Sequence, residues 1–593
     1  MAAQIDENYT ELCSERTIFS DQEGFFGEMY TTIRNNCTEK WLKNVFESEI
    51  SDATKLKRLF DEPDVSDMLL GTLEHVQSVY RQKESTFSHE RRKQGEILHR
   101  KGELNNALLL LTQAVLRAPA KGVDIRYDGG LSLALALWSR SAVLLDLNRG
   151  IDALADIQCA IDNGLNDVKK ELDYYVRMAK ANAMVGDPGK TKICLNLVKS
   201  FCGEGSKWDQ IQNEVKLIRA NGPAVKIQEP KLSANEHKHL PNTSSKLEMR
   251  SSADSGNYVV ANDVIKAGET IVVEKPIAAC LLAKHFGSHC LHCFKRVQSN
   301  DAIQNGRQVI RDMCSHSNKR PASDYLQRTV MSAFLLRILQ KANFFGRRTT
   351  ESAYPNSEAE FQIGEILIGL LQVLQFNAHE IHETKPFDSN SKRQVDGVAN
   401  YIGAAIYKSA VYFNHSCYPD VFRYFVGTTI VLCASHPLHA GDMIAENYGP
   451  IFIRHPLQFR QKNLRSRYWF DCMCQACSEN WPILDKLNNK ARLRCTTSMC
   501  NHLFKYPENS KKSVKCPKCK GITNLEIQIA TLNKAEDLYR AAAEYMDENR
   551  LKEAAKTFID GINLFHTIAV PPHRDTHIAQ DSLRVCLSNV GRM

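Results

Sequence analysis

The chain lacks the features that would mark it as exported, membrane-spanning or largely disordered. Its first residues, MAAQIDENYT, contain no basic region followed by an apolar core. No apolar run approaches the roughly 20 residues that cross a bilayer, and no biased tract is long enough to prevent folding throughout. We therefore expect an intracellular protein with no membrane partner.

A concentrated basic region is also missing. The 593 residues carry 76 Lys and Arg against 68 Asp and Glu, and the positive residues are spread along the chain. Proteins that bind nucleic acid through phosphates usually gather positive charge on one face. The formal net charge of +8 allows acidic partners, but direct nucleic-acid binding is not expected.

Cysteine, in contrast, is abundant, with 19 residues. In a reducing compartment, closely spaced cysteines are metal ligands more often than disulfides. One set consists of two pairs, Cys495-x4-Cys500 and Cys516-x2-Cys519, which are separated by a loop. Each pair can form one knuckle of a tetrahedral site, so this spacing favours a zinc ribbon. Four reduced thiols without metal are the alternative, and His502 is a less favoured substitute ligand.

The N-terminal third is predicted to be helical and repetitive. Small residues recur there at matching offsets, as in Gly95, Ala107 and Ala114, then Ala153 and Ala160. This spacing resembles tetratricopeptide (TPR) repeats, helix-turn-helix units of about 34 residues in which small residues let paired helices approach closely. An irregular helical bundle with chance alanine spacing is the alternative. Similar spacing returns near the C-terminus.

The middle of the chain changes period. The stretch GNYVVANDVIKAGETIVVEKP alternates apolar residues with turn signals, which is typical of short β-strands. A helical pattern, FQIGEILIGLLQVLQF, follows, and further strand patterns such as VFRYFVGTTIVLCA come after it. The sequence therefore predicts a multidomain α+β protein with helical regions on both sides of a β-rich core.

Three motifs occur in a fixed order within that core: NHSCYP at 414–419, ENYG at 446–449 and CMCQAC at 472–477. Taken alone, His415 would be an ordinary packed histidine and Tyr448 a packed aromatic. Together the motifs resemble the SET-domain lysine methyltransferases. Their surroundings narrow the resemblance to the SET and MYND (SMYD) family, and the helical N-terminus to its long, TPR-bearing branch.

The resemblance implies a SET β-fold core with flanking TPR-like helices, an inserted degenerate MYND finger, a post-SET zinc site and a zinc ribbon. It divides the chain into the following expected regions: an N-terminal helical region 1–85, TPR-like repeats 86–222, a linker 223–250, the first SET part 251–286, the MYND-type insertion 287–330, the SET core 331–470, the post-SET segment 471–480, the ribbon 481–524 and a C-terminal TPR-like domain 525–593.

The resemblance also implies an activity, which is S-adenosylmethionine (SAM)-dependent methylation of a lysine in a histone or non-histone protein. Expected with it are zinc, residence in nucleus and cytoplasm, a role in transcriptional repression, and peptide, chaperone or deacetylase partners on the TPR surfaces. The alternative is a weak or inactive adaptor that keeps the SET scaffold beside its TPR and zinc modules.

The site residues follow from the same resemblance. Tyr448 matches the catalytic tyrosine, Tyr468 and Phe470 match the walls of the lysine channel, and Cys417 matches the fourth ligand of the post-SET zinc, which we expect to be structural. The residues expected to bind the cofactor are Asn257, Tyr258, Asn377, Asn414, His415, Tyr448 and Phe470. The remaining post-SET ligands are Cys472, Cys474 and Cys477.

Some positions depart from the family pattern. The expected MYND finger is reduced to Cys290, Cys293, Cys314 and His316, which supply ligands for one metal at most and are equally well explained as surface groups. Asp420 stands where the family has asparagine, and we expect it to alter the hydrogen bonds of its segment. The C-terminal helical region is expected to be shorter than in the family.

Overall fold

The computed structural model describes residues 25–74, 83–165, 171–218, 230–252, 255–282, 313–346, 352–384, 399–507 and 513–590. These residues form two compact units. The first contains the described residues up to 218, residues 281–282 and those between 313 and 376, and the second contains those between 230 and 280 and from 377 onwards. The mixed helical and sheet architecture predicted from the sequence is confirmed, and its N-terminal region is helical.

The described part of the first unit is helical, apart from short turns. Its helices are α1 Phe25–Asn36, α2 Glu39–Phe46, α3 Asp52–Asp61, α4 Pro63–Glu74, α5 Ser85–Arg100, α6 Leu104–Arg117, α7 Ser132–Asp146, α8 Gly150–Asp162, α9 Glu171–Val185, α10 Pro188–Cys202, α11 Ser206–Leu217, α12 Ala322–Lys341 and α13 Glu358–Asn377. The last residue of α13, Asn377, already belongs to the second unit.

Successive helices between α5 and α10 pack against each other as pairs. Glycine makes two of these contacts possible. A Cβ atom at Gly95 would lie 2.7 Å from Leu111 Cγ, and one at Gly150 would lie 2.7 Å from Met184 Cβ. The close helix approach expected around Gly95 is therefore present, while the assignment of these pairs to TPR repeats stays a prediction.

Helices α12 and α13 share a core with α1 to α4. The Tyr325 hydroxyl donates to Asp52 Oδ1 at 2.6 Å, and a Cβ atom at Gly364 would lie 2.2 Å from Leu56 Cδ2. Helix α12 spans Ala322–Lys341, so the boundary expected between residues 330 and 331 falls inside it. The helix packs as one element against the N-terminal helices. This packing joins segments far apart in sequence and leaves no local pattern.

Among the described residues, α13 alone is long and apolar enough to cross a membrane by length and composition. The sequence was expected to contain no apolar stretch long enough to cross a membrane, and α13 corrects that expectation. Buried helices of soluble proteins pass the same test, and 33% of the apolar window of α13 is buried within the structure. The finding is weak support for a membrane span.

The second unit contains the strands. They are β1 Leu247–Ser252, β2 Gly256–Ala261, β3 Thr270–Glu274, β4 Ala278–Leu281, β5 Ala378–Thr384, β6 Ala399–Ile406, β7 Asn414–His415, β8 Val421–Val426, β9 Thr429–Ala434, β10 Ala445–Glu446, β11 Arg492–Arg494, β12 Leu503–Phe504, β13 Ser513–Lys515, β14 Ile522–Asn524 and β15 Ala569–Val570. They form small sheets with the orders β1-β2, β3-β9-β8, β4-β6-β5, β7-β10, β12-β11-β15 and β13-β14.

The described helices of the second unit come after β10 in the sequence. They are α14 Leu457–Tyr468, α15 Gln475–Ser478, α16 Leu525–Asp547, α17 Leu551–Ile568 and α18 Arg574–Val590. Helices α16 to α18 enclose an apolar core with β8, β9 and β11. Part of the expected linker is also ordered here, because Thr243 is fully buried and forms a bridge with Val272 of β3.

Candidate functional site

The NHSC and ENYG motifs meet in a short parallel ladder. In it, β7 pairs with β10 so that Asn414 faces Ala445 and His415 faces Glu446. The Asp420 amide donates to the Ala445 carbonyl at 2.8 Å, and the Ala445 amide donates back to Asp420 Oδ2 at 2.8 Å. Asp420, which departs from the family pattern, therefore bonds Ala445 of β10 through both its backbone amide and its carboxylate.

The hydroxyl and the backbone amide of Tyr448 are both hydrogen-bonded to the 413–415 segment. Its hydroxyl donates to the Phe413 carbonyl at 2.9 Å, and its amide donates to His415 Nδ1 at 3.0 Å. Since Nδ1 accepts a hydrogen bond, the imidazole proton sits on Nε2, which lies 3.3 Å from Cys417 Sγ. Burial lowers the pKa of His415 to about 4, which is consistent with a neutral ring. One imidazole thus joins the tyrosine loop to the thiol.

The expected channel aromatics surround this tyrosine. The Tyr468 hydroxyl donates to the Tyr448 carbonyl at 3.1 Å, and the two ring centroids lie 5.1 Å apart. Phe470 lies 6.0 Å from the His415 ring and 6.5 Å from the Tyr468 ring, centroid to centroid. Four aromatic rings therefore form one cluster, which is the geometry that a wall around an alkyl chain requires.

The expected cofactor residues include two amides that can still bind a ligand. Asn414 Nδ2 donates to the Ser255 carbonyl at 3.1 Å, which ties the β1–β2 turn to the NHSC motif. Its Oδ1 accepts no hydrogen bond from the described residues, and the exposed Asn257 side chain has no partner among them either. Tyr258 follows Asn257 on β2, and Asn377 is buried where α13 passes into β5. Of these residues, Asn414 lies between Phe413 and His415, which both bond Tyr448. Cofactor binding by Asn257, Tyr258, Asn377 and Asn414 stays a prediction.

The four post-SET thiols expected from the sequence lie together. The sulfur atoms of Cys417, Cys472, Cys474 and Cys477 are all within 4.8 Å of one another. Cys477 Sγ is 3.5 Å from Cys417 Sγ. Because Zn–S bonds of about 2.3 Å in a tetrahedron place sulfurs about 3.8 Å apart, the set fits one zinc ion.

The ribbon cysteines form a second cluster of the same kind. The sulfur atoms of Cys495, Cys500, Cys516 and Cys519 also lie within 4.8 Å of one another. The Cys495–Cys519 and Cys500–Cys516 sulfur distances are 3.6 and 3.8 Å. The His502 ring instead packs on Phe504, with centroids 4.8 Å apart. This cluster can therefore hold a metal ion without a histidine.

The degenerate MYND finger gains no support as a metal site. Cys290 and Cys293 lie outside the described residues. Cys314 and His316 belong to neither of the two groups of metal-ligating side chains that the described part of the chain contains. The His316 ring packs edge-on against Phe376, with centroids 4.8 Å apart.

Three charged side chains contact the site motifs, namely Arg460, Arg423 and Glu446, and only Glu446 belongs to a motif. The fully buried Arg460 donates to the Ala476 carbonyl at 3.1 Å and contacts Cys477 Sγ at 3.6 Å, which places a positive charge beside the thiols. Glu446 is buried in an ion pair with Arg423. Burial raises the pKa of Glu446, but Arg423 and then His379 outweigh it, so the pKa is lowered. The ENYG motif includes Glu446, but nothing local indicates its partners.

Comparison with known proteins finds similar segments in several other proteins. A SET and MYND domain-containing protein of Dictyostelium discoideum is 31% identical over 104 residues, 17% of this chain and 26% of that protein. The protein-lysine N-methyltransferase SMYD4 of Pongo abelii is 26% identical over 190 residues, 30% of this chain and 23% of its own length. The N-lysine methyltransferase SMYD2 of Bos taurus is 31% identical over 99 residues, 17% of this chain and 22% of its own.

The chain is related to the SET and MYND (SMYD) proteins. This confirms the resemblance to the SMYD family, although no family model matches the chain. Two of these three relatives are named as methyltransferases: SMYD4 as a protein-lysine N-methyltransferase and SMYD2 as an N-lysine methyltransferase. The chain spans about a quarter of their length or less, so the relationship concerns segments of these SMYD proteins and does not extend to their full architecture.

Proposed function

We propose that this chain is a SAM-dependent protein-lysine N-methyltransferase. The observation that supports it most directly is the fixed Tyr448, whose hydroxyl and amide are both bonded to the NHSC segment within the cluster of His415, Tyr468 and Phe470. Such a cluster positions and desolvates an alkyl amine, and the Asn414 and Asn257 amides supply ligands for a polar cofactor beside it.

When bound, SAM supplies an electrophilic methyl group for an in-line displacement by the lysine nitrogen. The protein's part is to present a neutral amine in line with that methyl. The aromatic walls of Tyr468 and Phe470 exclude water from the amine, and desolvation lowers the pKa of an ammonium group. Tyr448 orients the amine at the inner end of the channel.

We also propose that both thiol clusters hold zinc. Zinc prefers four thiolates in a tetrahedron, and the sulfur separations of 3.5 to 3.8 Å fit that ligand set. In this role the ions are structural, because all four positions of each site are occupied by cysteine. The post-SET zinc would then fix the segment that carries Phe470.

The activity is tested by incubating the purified full chain with SAM labelled on its methyl group and a panel of histone and non-histone proteins. We expect label in protein, retained on lysine after hydrolysis to amino acids. A zinc-loaded, folded chain that transfers no label and binds no SAM would instead favour the adaptor function.

The remaining expectations of the family stand as proposals. We propose residence in nucleus and cytoplasm, a TPR character for the helical pairs, and peptide partners such as chaperones or deacetylases on their surfaces, with repression of transcription as one outcome. Fractionation of cells that express the tagged chain, followed by identification of proteins bound to residues 83–218 within the full chain, tests them. Retention of binding after disruption of those helices would contradict a TPR-mediated contact.

A further inference from the structure

A buried carboxylate lies behind the catalytic segment. Glu274 is the last residue of β3 and is only 1% exposed. Its Oε1 accepts from the Lys408 and Ser409 amides at 2.8 and 2.9 Å, and its Oε2 accepts from the Ser409 and Ala410 amides at 3.0 Å each. Burial raises the pKa of Glu274, whereas the three backbone N–H groups favour its ionised form. Among the described residues, no Lys or Arg side chain forms an ion pair with Glu274.

The backbone held by Glu274 leads directly into the site. Residues Ala410–Tyr412 form one 3₁₀ turn, and the Phe413 amide donates to the Ala410 carbonyl at 3.3 Å. The carbonyl of Phe413 itself accepts a hydrogen bond from the Tyr448 hydroxyl at 2.9 Å. Asn414, the following residue, enters the parallel ladder with β10. The acceptor of the catalytic hydroxyl, Phe413, therefore lies only three residues after Ala410, the last residue whose amide Glu274 binds.

We propose that Glu274 is a positioning residue, which sets the place of the Tyr448 hydroxyl and of Asn414 through the backbone of residues 408–413. It would act through that backbone, because both of its carboxylate oxygens accept from backbone amides. A carboxylate is suited to the role because its two oxygens accept from three consecutive amides, and such charge-assisted bonds are the stronger kind. The inference rests on the proposed function, since it concerns the geometry of the same site.

The variant Glu274→Gln tests the inference with little change in shape. Its side-chain NH2 group would face backbone N–H groups that need an acceptor, so the 408–413 segment should shift or loosen. Displacements of about 1 Å at a reacting site cost up to about 100-fold in rate. We expect kcat to fall about 10- to 100-fold and the SAM Kd to rise about tenfold, with KM for the protein substrate changing less than about twofold.

The matched control is Glu269→Gln, immediately before β3. Its carboxylate pairs with Lys246 at 2.8 Å and accepts from the Lys266 amide at 3.1 Å. This variant should keep SAM Kd and kcat within about twofold of wild type. Amide hydrogen exchange should accelerate at residues 408–416 in Glu274→Gln and stay unchanged there in the control. If Glu274→Gln does not fold, Glu274→Asp keeps the charge and should show the same pattern in weaker form.

The outcomes separate the two proposals. A variant with a lower melting temperature but unchanged SAM Kd, kcat and exchange at 414–416 would reduce Glu274 to a stability residue and overturn the inference. A wild-type chain that binds no SAM and transfers no methyl would remove the proposed function. The exchange measurement still decides the positioning role in that case, because faster exchange at 414–416 and at Tyr448 supports it and unchanged exchange overturns it.

Discussion

The two thiol clusters use the same ligands but pack in different surroundings. Cys417, Cys472 and Cys477 belong to a small core with Phe452 and Trp481, against which Tyr468 and Phe470 pack. Cys495 and Cys516 belong to a larger core formed with the C-terminal helices, away from the channel aromatics. Equal metal chemistry can therefore have unequal consequences for the site.

Chain connectivity adds to that difference. The ribbon ligands all fall between residues 495 and 519, so their metal closes a short loop. The post-SET cluster takes Cys417 from the NHSC motif and the other ligands from 472–477, so its metal ties two distant segments. We therefore expect the post-SET metal to be coupled to catalysis and the ribbon metal to be coupled mainly to the stability of the C-terminal helices.

The largest effect should come from a change that leaves both clusters intact. Tyr448→Phe removes the hydroxyl bonded to the Phe413 carbonyl but keeps the ring. We expect methyl transfer to be abolished, with SAM affinity and zinc content near wild type. A transfer assay, calorimetry and metal analysis on one preparation check this, and unchanged turnover would remove Tyr448 from the mechanism.

Cys417→Ser should produce the next largest effect and is the test of coupling. It removes one thiol of the post-SET set and the sulfur that faces His415 Nε2. We expect the loss of one zinc per chain, unfolding of the post-SET segment detected by limited proteolysis, and a fall in SAM affinity of at least about tenfold. An unchanged zinc content would refute Cys417 as the fourth ligand.

Cys516→Ser is its matched counterpart in the ribbon and should affect catalysis less. It should also release one zinc and lower the melting temperature, because Cys516 lies in the core of the C-terminal helices. SAM affinity should stay within about threefold of wild type. Equal losses of SAM affinity in the two cysteine variants would break the comparison drawn between the clusters.

The smallest effect should appear on acidification, at histidines beside the small core of the post-SET cluster, where the His577 ring packs on Phe452 and Trp481. His436 and His577 are buried and pack on Tyr418, and the His566 ring stacks on His436. Burial lowers the pKa of His577 to about 3 and that of His566 well below its usual range. His573 immediately precedes α18, and burial lowers its pKa to about 4. The charged groups that face these rings are Asp420, Glu536, Asp575, Arg494 and His439.

His566, His573 and His577 are neutral in the folded protein because burial lowers their pKa values, whereas they gain protons near pH 6.5 in the unfolded chain. Their contribution to stability is therefore complete above that pH and is lost as the pH falls towards about 4. Each histidine then contributes about 1.4 kcal/mol of lost unfolding free energy per pH unit. Urea unfolding at pH 7.5 and 5.5 measures the loss. His566→Phe, which removes one buried titrating ring, should reduce it, and an identical loss in this variant would contradict the account.

Local residue spacing predicted the metal ligands and the motif residues of this site, but it did not predict the buried contacts that hold them in place. Short cysteine spacings indicated the ribbon ligands directly, and the ordered motifs brought Tyr448, His415 and Cys417 into one cluster through resemblance. The role of Glu274 could not be predicted, because its partner amide at Lys408 is 134 residues away in the sequence. The residues that bind it contribute only backbone N–H groups, so their side chains give no signal either. The packing of α12 on the N-terminal helices was hidden for the same reason.

The account depends most directly on cofactor binding by the folded, metal-loaded chain. Calorimetric titration of the purified protein with SAM, with zinc per chain measured on the same sample, tests it. We predict micromolar or tighter binding together with one zinc for each of the two thiol clusters. A folded protein that carries both zinc ions and binds no SAM would contradict the account and leave the SET core as a scaffold.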